Sequence, residues 1–381
     1  MSNRVDLTIG VRSEVCRDGH LRLSFETSEI APPAPDEIVV EMMAAPLHPA
    51  DIGLLLGPAD LSAAVVSGRG ADRTVSAKIS PEKMAGLAMR VGKSLPVGNE
   101  GAGVVVEAGE TLLHLVGKNV AVMGGGMVTR YRKVPISDAL PLPHGVPVEA
   151  GAAVLINPLT ALAMLETLRK EGHTALVHTA AASSLGQMLN RICLEDGVGL
   201  VNVARRPEHA DLLRRQGARH VCDSSSPDFV AELNAQVAET GATLAFDAVG
   251  GGKLASQILS AMERHALTRL QGYNRYGSKT RKQVYFYGGL DARPSELDLR
   301  AYGMCWSVGG WLIFDELAHM APERKDALRA RISNDMLTTF ACDFAGELSL
   351  SELLNPANLE RIAARRTGKK YFINPSIELE E

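Results

Sequence analysis

The chain has 381 residues, 46% hydrophobic and 22% charged, with a formal net charge of −4, a length that accommodates two domains. That balance argues against a nucleic-acid binder held by bulk electrostatics, no apolar run reaches the length of a membrane span, and MSNRVDLTIG lacks the apolar core of a signal peptide. The five cysteines, Cys16, Cys193, Cys222, Cys305 and Cys342, are scattered without a C-x-x-C pair, so neither a disulfide framework nor a thiolate zinc site is indicated, and a reducing cytoplasm is the simplest home.

Residues 1 to about 150 read as β-rich. Short apolar or alternating runs recur between turn signals at Leu21 to Phe25, Glu37 to Met43, Gly103 to Ala108, Asn119 to Met123 and Tyr131 to Val134. Ala31-Pro32-Pro33-Ala34-Pro35 is a rigid connector. Residues 58 to 95 show no clear period and are expected to be loop-rich, with one helix near Pro81 to Val91. Gly124-Gly125-Gly126 marks a turn open to close backbone approach.

From about residue 151 helix and strand alternate. A helix over Pro158 to Lys170 precedes an apolar strand at Ala175 to His178, a turn of small residues and a helix carrying Leu185, Met188, Leu189 and Ile192. Strand, small-residue turn and helix open a dinucleotide-binding unit, because backbone amides and the positive helix end can then approach a pyrophosphate. The glycine fingerprint is degraded: Ala181, Ser183 and Gly186 stand where G-x-G-x-x-G would be, with Ser184 and Leu185 between them. A strand–turn–helix without a ligand would look the same.

The second strand, Val198 to Val203, ends in Ala204-Arg205-Arg206 with no acid to accept from a ribose hydroxyl. Guanidinium groups suit a phosphate instead, which points to the 2′-phosphate of NADPH; two solvated arginines before a proline are the plainer alternative. A helix at Glu208 to Gln216, stopped by Gly217, a strand at Val221 to Asp223 and a helix at Asp228 to Glu239 follow. Strands at Thr243 to Ala248 and Val284 to Tyr287 end in Val249-Gly250 and Gly288-Gly289. A parallel sheet binds ligands at its carboxyl strand ends, so Ala248, Val249, Gly250, Tyr287, Gly288 and Gly289 join the cofactor candidates.

Five segments carry a family likeness: Leu47-His48-Pro49-Ala50-Asp51, Gly98-Asn99-Glu100-Gly101-Ala102-Gly103, Asn157-Pro158-Leu159-Thr160-Ala161, Phe246-Asp247-Ala248-Val249-Gly250, and Thr367-Gly368-Lys369-Lys370. Through them the chain resembles the zinc-free quinone oxidoreductase and enoyl reductase branches of the medium-chain dehydrogenase/reductase superfamily. The resemblance implies an α/β fold. A Rossmann-type doubly wound parallel sheet, residues 156–340, would interrupt a β-rich GroES-like domain, residues 1–155 and 341–381. It also implies NADPH, a homodimer, and contact of Asn157 and Thr160 with the nicotinamide, while Arg205 and His209 fall where relatives hold the 2′-phosphate. A metal is not expected, because zinc-dependent relatives carry Cys and His where His48 and Asn99 stand here and a catalytic zinc needs about three protein ligands.

The function expected is hydride transfer from NADPH to a quinone or similar electrophilic carbonyl compound, a small-molecule substrate, with no membrane or nucleic-acid partner. His48, Asn99, Tyr131 and Thr160 are the candidates for the reacting end; Thr160 as a helix-start hydroxyl and Tyr131 as a β-domain residue are the plainer readings. The alternatives are an enoyl thioester reductase without the branch's usual tyrosine, since none lies between Asp51 and Glu100, and an NADPH-binding protein without turnover. Residues 264–282 interleave Arg264, Arg269, Arg275, Lys279, Arg281 and Lys282 with Tyr273 and Tyr276, a composition that can bind nucleic acid or a phosphorylated ligand and that solvated basic loops share. Trp306 and Trp311 fall where the late strand packs. Arg361, Arg365, Arg366, Lys369 and Lys370 sit at a helix end, where cations favour the dipole, and are assigned no function.

Overall fold

The computed structural model describes residues 4–364 and 370–379. Its contacts divide the chain into two compact units: unit 1 is Met1–Ile156 with Ile332–Glu381, and unit 2 is Asn157–Arg331.

Unit 1 opens with β1 (Leu7–Val15), β2 (His20–Glu29) and β3 (Glu37–Pro46), then α1 (Pro49–Leu56), β4 (Asp60–Ser67), β5 (Thr74–Lys78), the short α2 (Pro81–Met84) and β6 (Ser94–Pro96). β7 (Glu100–Ala108), β8 (Asn119–Met123), β9 (Tyr131–Pro135), β10 (Ala139–Pro141) and α3 (Val148–Gly151) follow. Two strands therefore occupy the 58–95 stretch that carries no period in the sequence. β4 is an edge strand of the sheet β4-β5-β2-β1-β6, and in it only Leu61 is buried, so no alternation marks it.

Unit 2 begins in the first turn of α4 (Ile156–Lys170) and continues through β11 (Ala175–Thr179), α5 (Ser184–Glu195), β12 (Gly199–Ala204), α6 (Pro207–Arg215), β13 (His220–Asp223) and α7 (Phe229–Thr240). It ends with β14 (Leu244–Asp247), α8 (Leu254–Thr268), β15 (Lys282–Phe286), β16 (Trp306–Gly310), α9 (Ile313–His319) and most of α10 (Pro322–Asp335). The sheet order is β13-β12-β11-β14-β15-β16 and every pairing is parallel. β11 is buried throughout, as a strand covered by helices on both faces must be. The order reverses direction between β11 and β14, and a crevice at the carboxyl ends of the strands follows from that reversal.

Within this unit Trp311 meets Phe246 edge-on at 5.3 Å and donates to Thr167 Oγ1 at 3.1 Å, and Trp306 packs edge-on against Tyr302 at 5.1 Å. Lys282, counted above among the loop's basic residues, belongs to the core. It is fully buried and its ammonium donates to Glu263 Oε2 at 2.6 Å, Ser278 Oγ at 3.0 Å and the Thr280 carbonyl at 2.8 Å. Tyr273 is 94% exposed, and Arg275 lies over the Tyr276 ring at 5.0 Å.

The chain then returns to unit 1 as β17 (Phe344–Ser349), α11 (Leu350–Leu353), α12 (Pro356–Ala363) and β18 (Lys370–Asn374). β18 lies between β3 and β17 in the seven-stranded sheet β10-β8-β7-β3-β18-β17, with β9 also on β3. Arg365, Arg366, Thr367, Gly368 and Lys369 lie outside the described residues. One helical run, Val148–Lys170, is long and apolar enough to cross a membrane by length and composition, contrary to the expectation above, and 83% of its apolar window is buried inside the protein.

Candidate functional site

In unit 2 the carboxyl ends of β11, β12, β14 and β15 carry most of the cofactor candidates. β11 ends at Thr179, whose hydroxyl donates to Asp247 Oδ1 at 2.6 Å and accepts from the Ala248 amide at 2.8 Å. The Asp247 carboxylate also accepts from Val249 N at 2.8 Å and Gly250 N at 3.3 Å. One buried acid thus fixes the turn Ala248-Val249-Gly250. The loop after β15 is zipped to it by Leu290 N to Ala248 O at 3.1 Å and Asp291 N to Val249 O at 2.9 Å. Gly250 has φ +75°, and a Cβ there would stand 2.7 Å from the Gly288 carbonyl, so the two glycine ends meet backbone to backbone.

The turn after β11 takes its unusual geometry at Ala180, whose φ of +51° is the only positive value at a non-glycine among the described residues. A conformation that costs an L-residue roughly 1–2 kcal/mol marks a constrained loop. Ala181 N then donates to Val203 O at 3.1 Å, tying the loop to β12. Ser183 caps α5, its hydroxyl accepting from Gly186 N at 3.1 Å. Ser184 and Leu185 occupy the first turn, where amides have no partner one turn back and the helix end is positive. Gly186 packs its Cα against the loop, and a Cβ there would lie 2.7 Å from Ala181 Cα and closer still to its carbonyl. The one glycine retained from the fingerprint is the one that lets helix and loop touch.

After β12, Ala204 is buried while Arg205 and Arg206 are exposed, and Arg206 stands 3.7 Å from Glu208. His209 is half-buried in the first turn of α6. Arg205 is near enough to Asp291 to help lower that carboxyl; the larger causes are the bonds from Arg293, and together they bring it to about 2. Tyr287 stacks on His178 with ring centroids 5.8 Å apart, and its hydroxyl lies 2.7 Å from His178 Nε2. That phenol satisfies a buried imidazole, a sufficient structural reason for it. Asn157 and Thr160 are buried in the first turn of α4, and Asn157 Nδ2 has no hydrogen-bond partner among the described residues.

A second group of polar side chains lies within unit 1. His48, 4% exposed, precedes α1; its backbone amide donates to Asp51 Oδ2 at 2.8 Å. Its Nε2 is 2.6 Å from Glu100 Oε1, at the start of β7, and its Nδ1 is 3.3 Å from Lys370 Nζ, at the start of β18. The other Glu100 oxygen accepts from Leu155 N and Ile156 N, both at 2.9 Å. Both imidazole nitrogens are therefore engaged, so His48 has no free ring nitrogen for a metal or a substrate. Burial pushes the Asp51 carboxyl above its ordinary range, against the lowering effect of His48. Burial pushes the Lys370 ammonium below its ordinary range, while Cys342, Glu100 and Asp51 oppose the shift.

Of the other candidates here, Asn99 is half-buried and its backbone amide donates to Asp51. Tyr131 lies in β9 with its ring beneath Arg130 at 5.6 Å and its amide donating to Thr8 Oγ1. The sequence reading leaves Glu100, Asp51 and Lys370 out of the site, although an acid opening an apolar strand, as in EGAGVVV, is a signal for a paired buried charge.

The parallel sheet of unit 2 is of the doubly wound, Rossmann type, and the chain carries it alongside a β-rich unit. No family model matches the chain. It is similar to the mitochondrial enoyl-[acyl-carrier-protein] reductases of Caenorhabditis elegans, 28% identical over 259 residues, and Xenopus tropicalis, 31% identical over 209 residues. Those matches take in 64% and 52% of this chain and span 64% and 51% of the relatives' own length. In structure it is similar to a protein of Mesorhizobium loti assigned as an NADPH:quinone reductase, with a TM-score of 0.71 and 23% identity over 98% of this chain and 100% of that one.

Proposed function

We propose that the chain is an NADPH-dependent oxidoreductase that delivers a hydride to a quinone or a similar electrophilic carbonyl compound without a metal. The observation that carries this reading is the set of strand ends in unit 2, where α5 packs on the turn through Gly186 and exposed Arg205 and Arg206 follow β12. These residues fit a phosphorylated dinucleotide. Ser184 and Leu185 would present amides to the pyrophosphate, Arg205 would pair with the 2′-phosphate, and Ala248 to Gly250 with Gly288 and Gly289 would line the backbone-walled crevice. The orphaned Asn157 amide is a donor in want of an acceptor, and a carboxamide is one that suits it. The bound cofactor would supply the hydride; the chain's part is to hold it, orient it and exclude water.

The similarity to two enoyl-[acyl-carrier-protein] reductases favours a second reading, reduction of an enoyl thioester. The free thiols of Cys16, Cys193, Cys222 and Cys305 go with a reducing, cytoplasmic location. The open edge strand β16 goes with a homodimer.

The test is cofactor titration by fluorescence with NADPH and NADH, followed by a small quinone and then a crotonyl thioester. NADPH preference with quinone-dependent oxidation supports the first reading; oxidation with the thioester alone supports the second. Binding without oxidation by either acceptor points to a non-catalytic NADPH-binding protein, and no binding of either cofactor overturns the cofactor assignment.

A further inference from the structure

Unit 2 carries a surface that the cofactor site does not use. The loops ahead of β15 and β16 meet the carboxyl-terminal end of α8 around a groove of about 500 Å³, lined by Leu267, Tyr273, Tyr276, Leu299 and Met304. All five are exposed, Tyr273 and Met304 to 94% and 75%. A soluble surface rarely gathers its large apolar side chains in one place without something to cover them. Arg275 and Arg300 also line the groove, Arg269 follows Leu267 in the chain, and Lys279 lines the adjoining hollow with Tyr276 and Met304. All four cations are exposed. Residues 264–282 contain no acid, and among the described residues only Arg281 and Lys282 of that segment are in ion pairs. Arginines elsewhere on the unit, such as Arg169, Arg214 and Arg324, each hold a carboxylate. The one acid lining the groove, Glu263, is buried on Lys282. The groove is therefore apolar and its rim positive. The chain's net charge of −4 averages this patch away and no long apolar run marks it, so the sequence alone predicts no membrane partner.

We propose that this face docks on a bilayer containing anionic phospholipid. The tyrosines, leucines and methionine enter the headgroup and upper acyl region, and the four cations meet lipid phosphates and carboxylates. Tyrosine settles at headgroup level, and a basic, apolar face binds through buried apolar area and attraction to anionic lipid together. Each cation near such a surface strengthens binding about 5-fold. A nucleic acid would use the cations but leave Leu267, Leu299 and Met304 in water. Arg275 already lies over the Tyr276 ring at 5.0 Å, which reduces the free surface on which bases could stack. A second copy presenting the same face would set four cations against four. An acidic protein delivering substrate would have to dock near the crevice, whereas the groove lies at the amino ends of β15 and β16, the opposite end of the parallel sheet. Docking there leaves the carboxyl strand ends open. Nothing in this depends on the reductase reading.

The experiment sediments the full chain with vesicles of phosphatidylcholine alone and of phosphatidylcholine with phosphatidylserine, at rising salt. Wild type is compared with Arg269→Gln/Arg275→Gln and with Tyr273→Ser/Met304→Ser. The four side chains are exposed, and thermal unfolding checks that both variants fold as wild type does. Expected is binding to the serine-containing vesicles only, weakening as salt rises. The arginine variant should bind roughly 30-fold more weakly, and the apolar variant at least ~10-fold more weakly. Equal binding to both vesicle types, or wild-type binding in either variant, overturns the proposal. So does a wild type that stays in solution with every vesicle. If an oligonucleotide then binds through the same residues, the face belongs to a nucleic acid; if the apolar variant turns a dimer into a monomer on sizing, it belongs to a second copy.

Discussion

His178 gives a pH dependence whose size follows from its burial. It has no exposed surface, its Nε2 meets the Tyr287 hydroxyl at 2.7 Å, and its Nδ1 has no partner among the described residues. Burial pushes its pKa down to about 3, so it stays neutral in the folded protein, while in the unfolded chain it titrates near ~6.5. Because the folded value lies below the unfolded one, the contribution to stability is complete above about pH 6.5. It is lost as pH falls toward 3, because the unfolded chain takes up a proton that the folded chain refuses. Each pH unit below the unfolded pKa costs ~1.4 kcal/mol, which makes the loss between pH 7 and pH 5 about 2 kcal/mol. Urea unfolding of wild type and His178→Gln at both pH values isolates this part, since every other titrating group is common to the two. The variant should lose about 2 kcal/mol less than wild type over that interval. Equal losses would refute the reasoning and mean that the folded protein accommodates an imidazolium at the end of β11.

Gly186→Ala places a methyl group 2.7 Å from Ala181 Cα, so α5 has to withdraw from the turn. Overpacking of this kind costs ~1–3 kcal/mol; thermal unfolding should show it and NADPH titration should show weakened binding, and an unchanged affinity would dissociate the helix from the cofactor. Arg205→Ala should lower NADPH affinity roughly 10- to 150-fold, the equivalent of one charge-assisted bond, and leave NADH binding unaltered; an equal loss for both cofactors would mean the arginine does not read the 2′-phosphate. Lys282→Met leaves the Glu263 carboxylate buried with only Ser278 to bond it, and urea unfolding should register a loss of ~3–5 kcal/mol; a loss under ~1 kcal/mol would mean that water reaches the carboxylate.

The alternation of helix and strand in unit 2 was legible because each segment there is buried by its neighbours in sequence. β11 opens on the apolar run Ala175-Leu176-Val177 and is buried throughout, α6 stops at Gly217, which takes φ +85°, and Asp247 sits at a strand end where it can bond the following amides. The edge strand β4 was not legible, because exposure on both faces erases the period on which strand recognition depends, and β5 alternates over only five residues. Basic runs misled in the same way twice. Lys282 reads as part of a solvated loop, yet the acid that buries it, Glu263, lies on the preceding helix. Lys370 reads as one cation among five at a helix end, while its partner His48 is 322 positions away. Pairings of that length leave no local trace, and Glu100 was visible only as an acid out of place in an apolar strand.

The position of β18 has a consequence for synthesis. It lies inside the seven-stranded sheet, paired parallel to β17 on one side and antiparallel to β3 on the other. Every strand of unit 2 has emerged before β17 and β18 are made, so a vectorially growing chain can close the parallel sheet while the first unit still lacks an interior strand. β3, translated more than three hundred residues earlier, is paired by β7 and β9 over most of its length but keeps its Ala45–Pro46 end open throughout that time. The nascent β-rich segment therefore has to be kept from pairing with other chains until β18 has emerged, and removing β18 would make that exposed state permanent.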